Sequence, residues 1–308
     1  MVCCLVDRGL RDSSSRLTKT SAALWMLAMK NSEYVLGHSD FELERLARQA
    51  QLLEPATRDC FYAAGMAPGM RVLDVGSGTG EVAFLAADFV GPSGEVLGTD
   101  IAPAAIAAAR HAAEAGGKNH VEFRHGDPTE MEFGQLFDFV VGRCVLHHQP
   151  DPISMLRRLA KHLRPGGTIL FLEPHRSFVR SEPPSPSYDR CCRWIIEIFE
   201  RAGAGITNTG ARMHRAFLAA GLPAPIMRMR MIIGDAVSAS EWLRAMADIA
   251  IVMLPAMERH GVATSSDIDC DTIAKQLIQE VASSGSVVIG RADVGAWSQV
   301  QSAKTPPA

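Results

Sequence analysis

A strand, a glycine-rich turn and a helix follow one another without a break in "RVLDVGSGTGEVAFLAADFVG", residues Arg71 to Gly91. Asp74 sits inside the apolar strand, and Gly76, Gly78 and Gly80 crowd the five residues that precede the helix. Glycine is selected where a backbone approaches a ligand closely or takes φ > 0, because a Cβ would clash. Turns of this kind between a strand and a helix are where nucleotides bind in α/β sheets. This stretch therefore limits the fold more than any other.

The neighbouring segments continue the alternation. Apolar runs predict strands at Met70–Val75, Glu95–Thr99, His120–Arg124, Phe137–Val141 and Thr168–Leu172. Helices are predicted between them at Glu81–Val90, Pro103–Ala115 and Pro152–Leu163, the last with Asp151 as its cap and proline at its first position. Strands alternating with helices are the signature of a doubly wound, mostly parallel sheet. Upstream, Phe41, Leu43, Leu46, Ala47, Ala50 and Leu53 share a helical face that Pro55 should end, and a second short helix is expected over Ala56–Ala64. Downstream lie a proline-rich loop at Ser181–Ser187 and helices at Tyr188–Ala202, Arg212–Ala220, Ser240–His260 and Asp271–Ser283. A late strand is expected at Ile226–Ile233, with Arg228 and Arg230 on a wet face and Met227, Met229 and Met231 opposite, before a last apolar run at Ser286–Gly290.

Composition narrows the partners. A net charge of −3 with no long basic run argues against nucleic acid. No apolar run is long enough to span a bilayer, and the best candidate, Ala245–Met257, contains Asp248 and Pro255 and reads as a buried helix. The seven cysteines form no C-x-x-C pair, which disfavours a zinc site. The adjacent pair at Cys191 and Cys192 could bind a soft metal or arsenic, but core packing is the reading taken and no metal is expected. The odd number of cysteines suggests free thiols in a reducing, cytoplasmic compartment.

Two ligands compete for the glycine turn. A dinucleotide would call for G-x-G-x-x-G, but the order here is G-x-G-x-G, with Glu81 in place of the third glycine of that pattern. A carboxylate at that helix N-terminus would repel a pyrophosphate. The turn suits a ligand without phosphates, and a nicotinamide-dependent oxidoreductase remains the opposing reading.

"VLDVGSGTG" (Val72–Gly80), "VLGTD", "HGDP", "FDFVVGRCVLHH" and "LRPGGTILFLEP" occur in order, each on its expected element. In this the chain resembles the class I S-adenosylmethionine (SAM)-dependent methyltransferases, a seven-stranded Rossmann-like fold, and within them a bacterial-type small-molecule subgroup. The resemblance implies SAM as methyl donor. It places Asp74, Gly76 and Ser77 along the methionine portion, with Gly78 and Gly80 giving backbone clearance. It places Asp100, followed by Ile101, on the ribose hydroxyls, Gly126, Asp127 and Pro128 at the adenine, and Arg143 and Cys144 beside the methionine end. "YVLGHSDFELERLARQ" resembles a segment that folds over the cofactor, where Tyr34, Arg45 and Gln49 could touch SAM; a solvated helix face is the alternative.

The resemblance divides the chain into residues 1–28 (a tail or a mis-called start), an N-terminal helical segment at 29–66, a SAM-binding core at 67–175, and a tail at 301–308. Residues 176–300 supply a helical lid and the last two strands of the sheet. His147 and His148 are the candidate bases, with Glu173 and His175 behind them. Trp194, Phe199, Trp242, Met246 and Met253 either line the acceptor pocket or pack as core. The expected partner is a small hydrophobic or aromatic acceptor methylated at O, N or C, with no nucleic acid and no membrane, and a homodimer is left open. A SAM-binding protein without transfer activity is the second reading. Arsenic methylation is a thinner one, because the cysteines do not cluster.

Overall fold

The computed structural model describes residues 40–300. In chain order the elements are α1 (Asp40–Ala64), β1 (Arg71–Val75), α2 (Glu81–Val90), β2 (Glu95–Asp100), α3 (Pro103–Ala115), β3 (Val121–His125), β4 (Phe137–Arg143), α4 (Pro152–Leu159) and β5 (Leu163–His175). There follow β6 (Arg180–Glu182), α5 (Pro186–Arg201), α6 (Thr209–Ala219), β7 (Ile226–Gly234), α7 (Ser240–Arg259), α8 (Ile273–Ser284) and β8 (Val287–Gln299).

One sheet organises them, in the order β3-β2-β1-β4-β5-β8, with β7 along the far edge of β8. The strands from β3 to β5 are parallel; β8 runs antiparallel to β5, from Thr168 opposite Gln299 to His175 opposite Ala292. This is the doubly wound sheet expected from the alternation, with all seven strands present. An eighth strand, β6, pairs with the first residues of β8 and overlaps the start of the stretch expected as a proline-rich loop. Arg180–Glu182 is too short to leave a periodic signal.

The central strands β1 and β4 are buried almost end to end, as parallel strands covered on both faces must be. Phe61 of α1, Leu85 and Ala86 of α2 and Ile106 of α3 pack on one face. Leu156 and Leu159 of α4 and Phe217 of α6 pack on the other. A third apolar cluster joins Tyr188 and Ile195 of α5, Trp242 and Met246 of α7, and Leu277 and Val281 of α8. This cluster absorbs the expected lid residues: Trp242 and Met246 are buried, and Trp194, Phe199 and Met253 pack partly covered against it.

Two local expectations are corrected. Pro55 does not end the first helix: α1 runs unbroken from Asp40 to Ala64. Interior proline costs roughly 3 kcal/mol, but Leu53, Ala56, Cys60 and Phe61 are buried on both sides of it, and that packing holds the two halves together. Pro55→Ala is accordingly expected to raise the melting temperature, read by thermal denaturation; an unchanged or lower value would mean that the ring itself packs usefully. On β7, Met229 is exposed rather than covered, because β7 is an edge strand bonded only to β8. Arg230 pairs with Asp59, and the Arg228 guanidinium lies 5.8 Å from the centre of the Trp297 ring. Among the described residues no helix is long and apolar enough to cross a membrane.

Candidate functional site

The strand order reverses direction at β1, flanked by β2 and β4, and ligands in such sheets bind above the carboxyl ends of the strands at that point. The glycine turn stands there. Gly80 takes φ +102°, and a Cβ on it would lie 2.8 Å from both Phe84 and Phe123. Gly78 has the left-handed φ of +55°, but nothing lies within 4 Å of where its Cβ would be. Gly80 is thus required by packing, whereas Gly78 borders open space.

Asp100 at the end of β2 is fixed by two backbone donors: Gly78 N–H to Oδ2 at 2.9 Å and Ala102 N–H to Oδ1 at 2.8 Å. Each carboxylate oxygen retains a further acceptor site. The Gly126 N–H donates to the Asp100 carbonyl at 2.8 Å, which ties the β3 loop to β2. Asp127 is exposed and accepts from Thr129 N–H at 2.8 Å, while Pro128 is buried and its carbonyl faces His162 Nε2 at 3.0 Å. Ile101 is exposed, with its carbonyl 3.1 Å from His125 Nε2.

Asp74 is 1% exposed, and neither of its carboxyl oxygens has a hydrogen-bond partner among the described residues. Burial pushes its pKa well above the usual carboxylate range, and the nearby Arg143 only partly opposes this. The hydroxyl of Ser77 is likewise buried without a partner. Arg143 ends β4 and donates to Thr57 Oγ1 of α1 at 3.2 Å. Gln49 lines a narrow apolar pocket with Leu52, Trp242, Ile249 and Arg291. Tyr34 and the side chain of Arg45 lie outside the described residues.

Past β4 the chain turns through Cys144, which has φ +59°, into a helical turn at Leu146–His148. Glu173 of β5, 1% exposed, holds this turn. Its Oε1 accepts from Val145 and Leu146 N–H at 2.9 and 2.8 Å, and its Oε2 lies 2.5 Å from His147 Nδ1. Burial would raise the Glu173 pKa, but the His147 hydrogen bond, the His147 charge and the two backbone donors hold it below the usual range. His148 stands at the surface with its ring 3.7 Å from that of His147; the protein packed around it, then His147, lower its pKa. His175 is engaged elsewhere, its Nε2 2.5 Å from Ser177 Oγ and its pKa lowered by burial.

The structure thus brings Asp74, the glycine turn, Asp100, Asp127, Arg143, His147 and His148 to the same end of the sheet, and assigns Glu173 to ordering a loop. Three buried charges went unnoticed in the sequence: Arg176, Arg291 and Asp293. Arg291 and Asp293 stand two apart in an apolar strand and therefore share a face, which was a readable signal. The cysteines are dispersed: Cys60 and Cys191 are buried, with burial raising their pKa values to about 11 and about 12. Among the described residues no three His, Cys, Asp or Glu side chains gather as a metal site.

The sequence profile of a methyltransferase domain family matches residues 67–195. Three curated relatives each match 34–40% of the chain. An arsenite methyltransferase of Aquipseudomonas alcaligenes is 37% identical over 132 residues, 39% of this chain and 38% of that protein. A demethylmenaquinone methyltransferase of Bacillus cytotoxicus is 35% identical over 107 residues, 34% and 45% of the two chains. A nocamycin O-methyltransferase of Saccharothrix syringae is 38% identical over 125 residues, 40% and 44%. The chain thus spans less than half the length of each. Among solved structures, a putative methyltransferase of Bacillus halodurans superposes with a TM-score of 0.54 at 19% identity, over 80% of this chain and 99% of that one. A phosphoethanolamine N-methyltransferase of Haemonchus contortus gives 0.51 at 18% identity, over 80% and 53%; at such identities the likeness concerns the fold. The sheet order, the glycine turn and the matched profile agree: residues 67–195 form a methyltransferase domain on a class I, Rossmann-like sheet.

Proposed function

We propose that the chain transfers a methyl group from SAM to a small, largely apolar organic acceptor. One observation carries the reading: the carboxyl of Asp74, buried in β1 and unpartnered among the described residues, lies four residues before Gly78, which borders open space and whose N–H orients Asp100. A carboxyl group buried without a partner is costly, and a cationic ligand relieves that cost. SAM carries an ammonium and a sulfonium, and when bound it supplies an electrophilic methyl group.

The chain's own residues take the following parts. Asp74 receives the ammonium group. Asp100, already oriented by two N–H donors, accepts from the ribose hydroxyls, and Asp127 accepts from the adenine amino group. Gln49 of α1 faces the pocket lined by Trp242 and Arg291. His147 donates Nδ1–H to Glu173, which leaves Nε2 as the basic nitrogen for an acceptor hydroxyl or ammonium. Alignment of the two reactants accounts for most of the acceleration, an effect worth up to about 7–11 kcal/mol. Helices α5, α7 and α8 form the lid, and their apolar cluster favours an apolar acceptor.

Names among the relatives support an organic acceptor in two of the three cases. Arsenite is not favoured, since no three thiols meet among the described residues. Nicotinamide chemistry is opposed by Glu81, whose carboxylate accepts from Thr79 Oγ1 at 2.5 Å at the start of α2, where a pyrophosphate would sit.

Calorimetric titration of the purified chain tests the proposal. SAM and S-adenosylhomocysteine are expected to bind saturably and NADH not at all. Asp100→Ala should weaken both sulfur ligands by about tenfold or more, since each charge-assisted bond is worth about 1.5–3 kcal/mol. NADH binding, or no binding of the sulfur ligands, would overturn it.

A further inference from the structure

Two guanidinium groups are buried beside the lid, and among the described residues one carboxylate accompanies them. Arg176 follows β5 and is 3% exposed. Its Nη1 reaches only the sulfur of Met246, at 3.5 Å, and its Cζ lies 5.5 Å from the centre of the Trp242 ring. No carboxylate pairs with it among the described residues. Arg291 of β8 is 6% exposed and is satisfied on one side: Nε lies 3.1 Å from Asp293 Oδ1, Nη2 bonds the same oxygen, and Nη2 is 3.7 Å from Cys144 Sγ.

The two cations are close enough for the charge of Arg291 to act on Arg176, adding to the burial that lowers the Arg176 pKa to about 10. Both therefore stay protonated at neutral pH. The other polar groups around Arg176 are neutral. Tyr188 donates to the Ile289 carbonyl at 3.0 Å and accepts from Trp242 Nε1 at 2.9 Å, and burial keeps the Cys192 thiol protonated. Among the described residues Asp293 is the one anion of the group, which leaves this corner with an excess positive charge.

A buried, unpaired guanidinium is expensive to maintain and cannot escape by losing its proton. Its counter-charge must arrive with a ligand. The surroundings say where that ligand lies. Arg291 and Trp242 line the narrow pocket with Gln49, Leu52 and Ile249, and Cys144 ties Arg291 to the loop that presents His147. We propose that Arg176 and Arg291 form an anion subsite of the acceptor pocket, so that the acceptor is an apolar molecule bearing a carboxylate. This deepens the methyltransferase reading and rests on it for the identity of the pocket. The planar fork of arginine matches a carboxylate by two parallel bonds, while the apolar wall of α1 and α7 takes the rest of the molecule.

The test titrates the full chain, with and without S-adenosylhomocysteine, with benzoate, 2-naphthoate and decanoate, each against its methyl ester. At least one acid is expected to bind saturably and tenfold or more tighter than its ester. Arg176→Met should abolish that preference, raise the melting temperature of the ligand-free chain, and leave S-adenosylhomocysteine affinity within twofold. Arg176→Lys, which keeps the charge but loses the fork, should fall between. Equal affinity for acids and esters, no acid binding, or an unchanged preference in Arg176→Met would each overturn the subsite. Should Arg176→Met fail to fold, the comparison of acid with ester on the wild-type chain still decides. Failure of S-adenosylhomocysteine to bind the wild-type chain strikes the methyltransferase reading instead, and the acid–ester comparison without it then judges the anion site alone.

Discussion

Glu173→Gln is expected to cost the folded chain about 1–3 kcal/mol, the range for leaving buried donors without an acceptor. The wild-type carboxylate accepts from three backbone N–H groups and from the His147 ring. An amide offers one oxygen and turns an N–H₂ toward donors that need an acceptor. The loop from Cys144 to His148 should loosen, and His147 should lose the bond that fixes its tautomer. Turnover is then expected to fall tenfold or more, while S-adenosylhomocysteine affinity, set on the β1 and β2 side, changes little. The pH dependence has a definite sign. The folded-state pKa of Glu173 is depressed, so its stabilisation is present above the unfolded value of about 4.3 and is lost as pH falls through the lower folded value. Urea denaturation of both proteins at several pH values reads this. The gap between them should be full at neutral pH and close in acid; equal stability at pH 7 would remove Glu173 from its assigned part.

Asp74→Asn should act in the opposite direction on the free chain. The folded pKa of Asp74 is raised by burial. The protonated acid is therefore the comfortable form, and stability declines as pH rises from the unfolded pKa of about 3.9 through the folded value. Asparagine cannot ionise and removes that decline. The variant is expected to melt higher than wild type at pH 7, with the difference shrinking toward pH 4. It should also bind SAM about a hundredfold less tightly, since a hydrogen bond to a charged group contributes about 1.5–3 kcal/mol and the Coulombic attraction to the ligand's cations is lost as well. Calorimetry and thermal melts on the same preparations check both halves. A variant that melts lower yet binds SAM normally would assign Asp74 to structure alone.

These two residues also mark how far the sequence could be read. Asp74 and Asp100 were visible because each ends or interrupts an apolar strand next to turn residues, a local pattern. The helices α2 and α3 were found to the residue for the same reason: capping, proline placement and apolar period all lie within the segment. The part of Glu173 was harder to see, because it depends on a backbone 26 to 28 residues away. Pro55 misled because a local helix breaker was outweighed by packing against distant elements. Arg176 was invisible because nothing local distinguishes a buried arginine from a solvated one at a strand end.

Strand β8 has a bearing on how such a protein diversifies. Its first residues, Val287 to Ile289, pair with β6, Arg291 and Asp293 follow, and from Ala292 onward it pairs with β5 in the heart of the sheet. The region that chooses the acceptor and the region that holds the donor are therefore joined by one continuous ribbon of backbone as well as by loops. Grafting residues 176–286 onto a related scaffold would leave the recipient with a foreign strand beneath the transplanted helices, missing Arg291, Asp293 and the matching register. A workable chimera has to exchange the helices together with β7 and all of β8, so changes of specificity in this architecture should be inherited as a block that reaches through to Gln299.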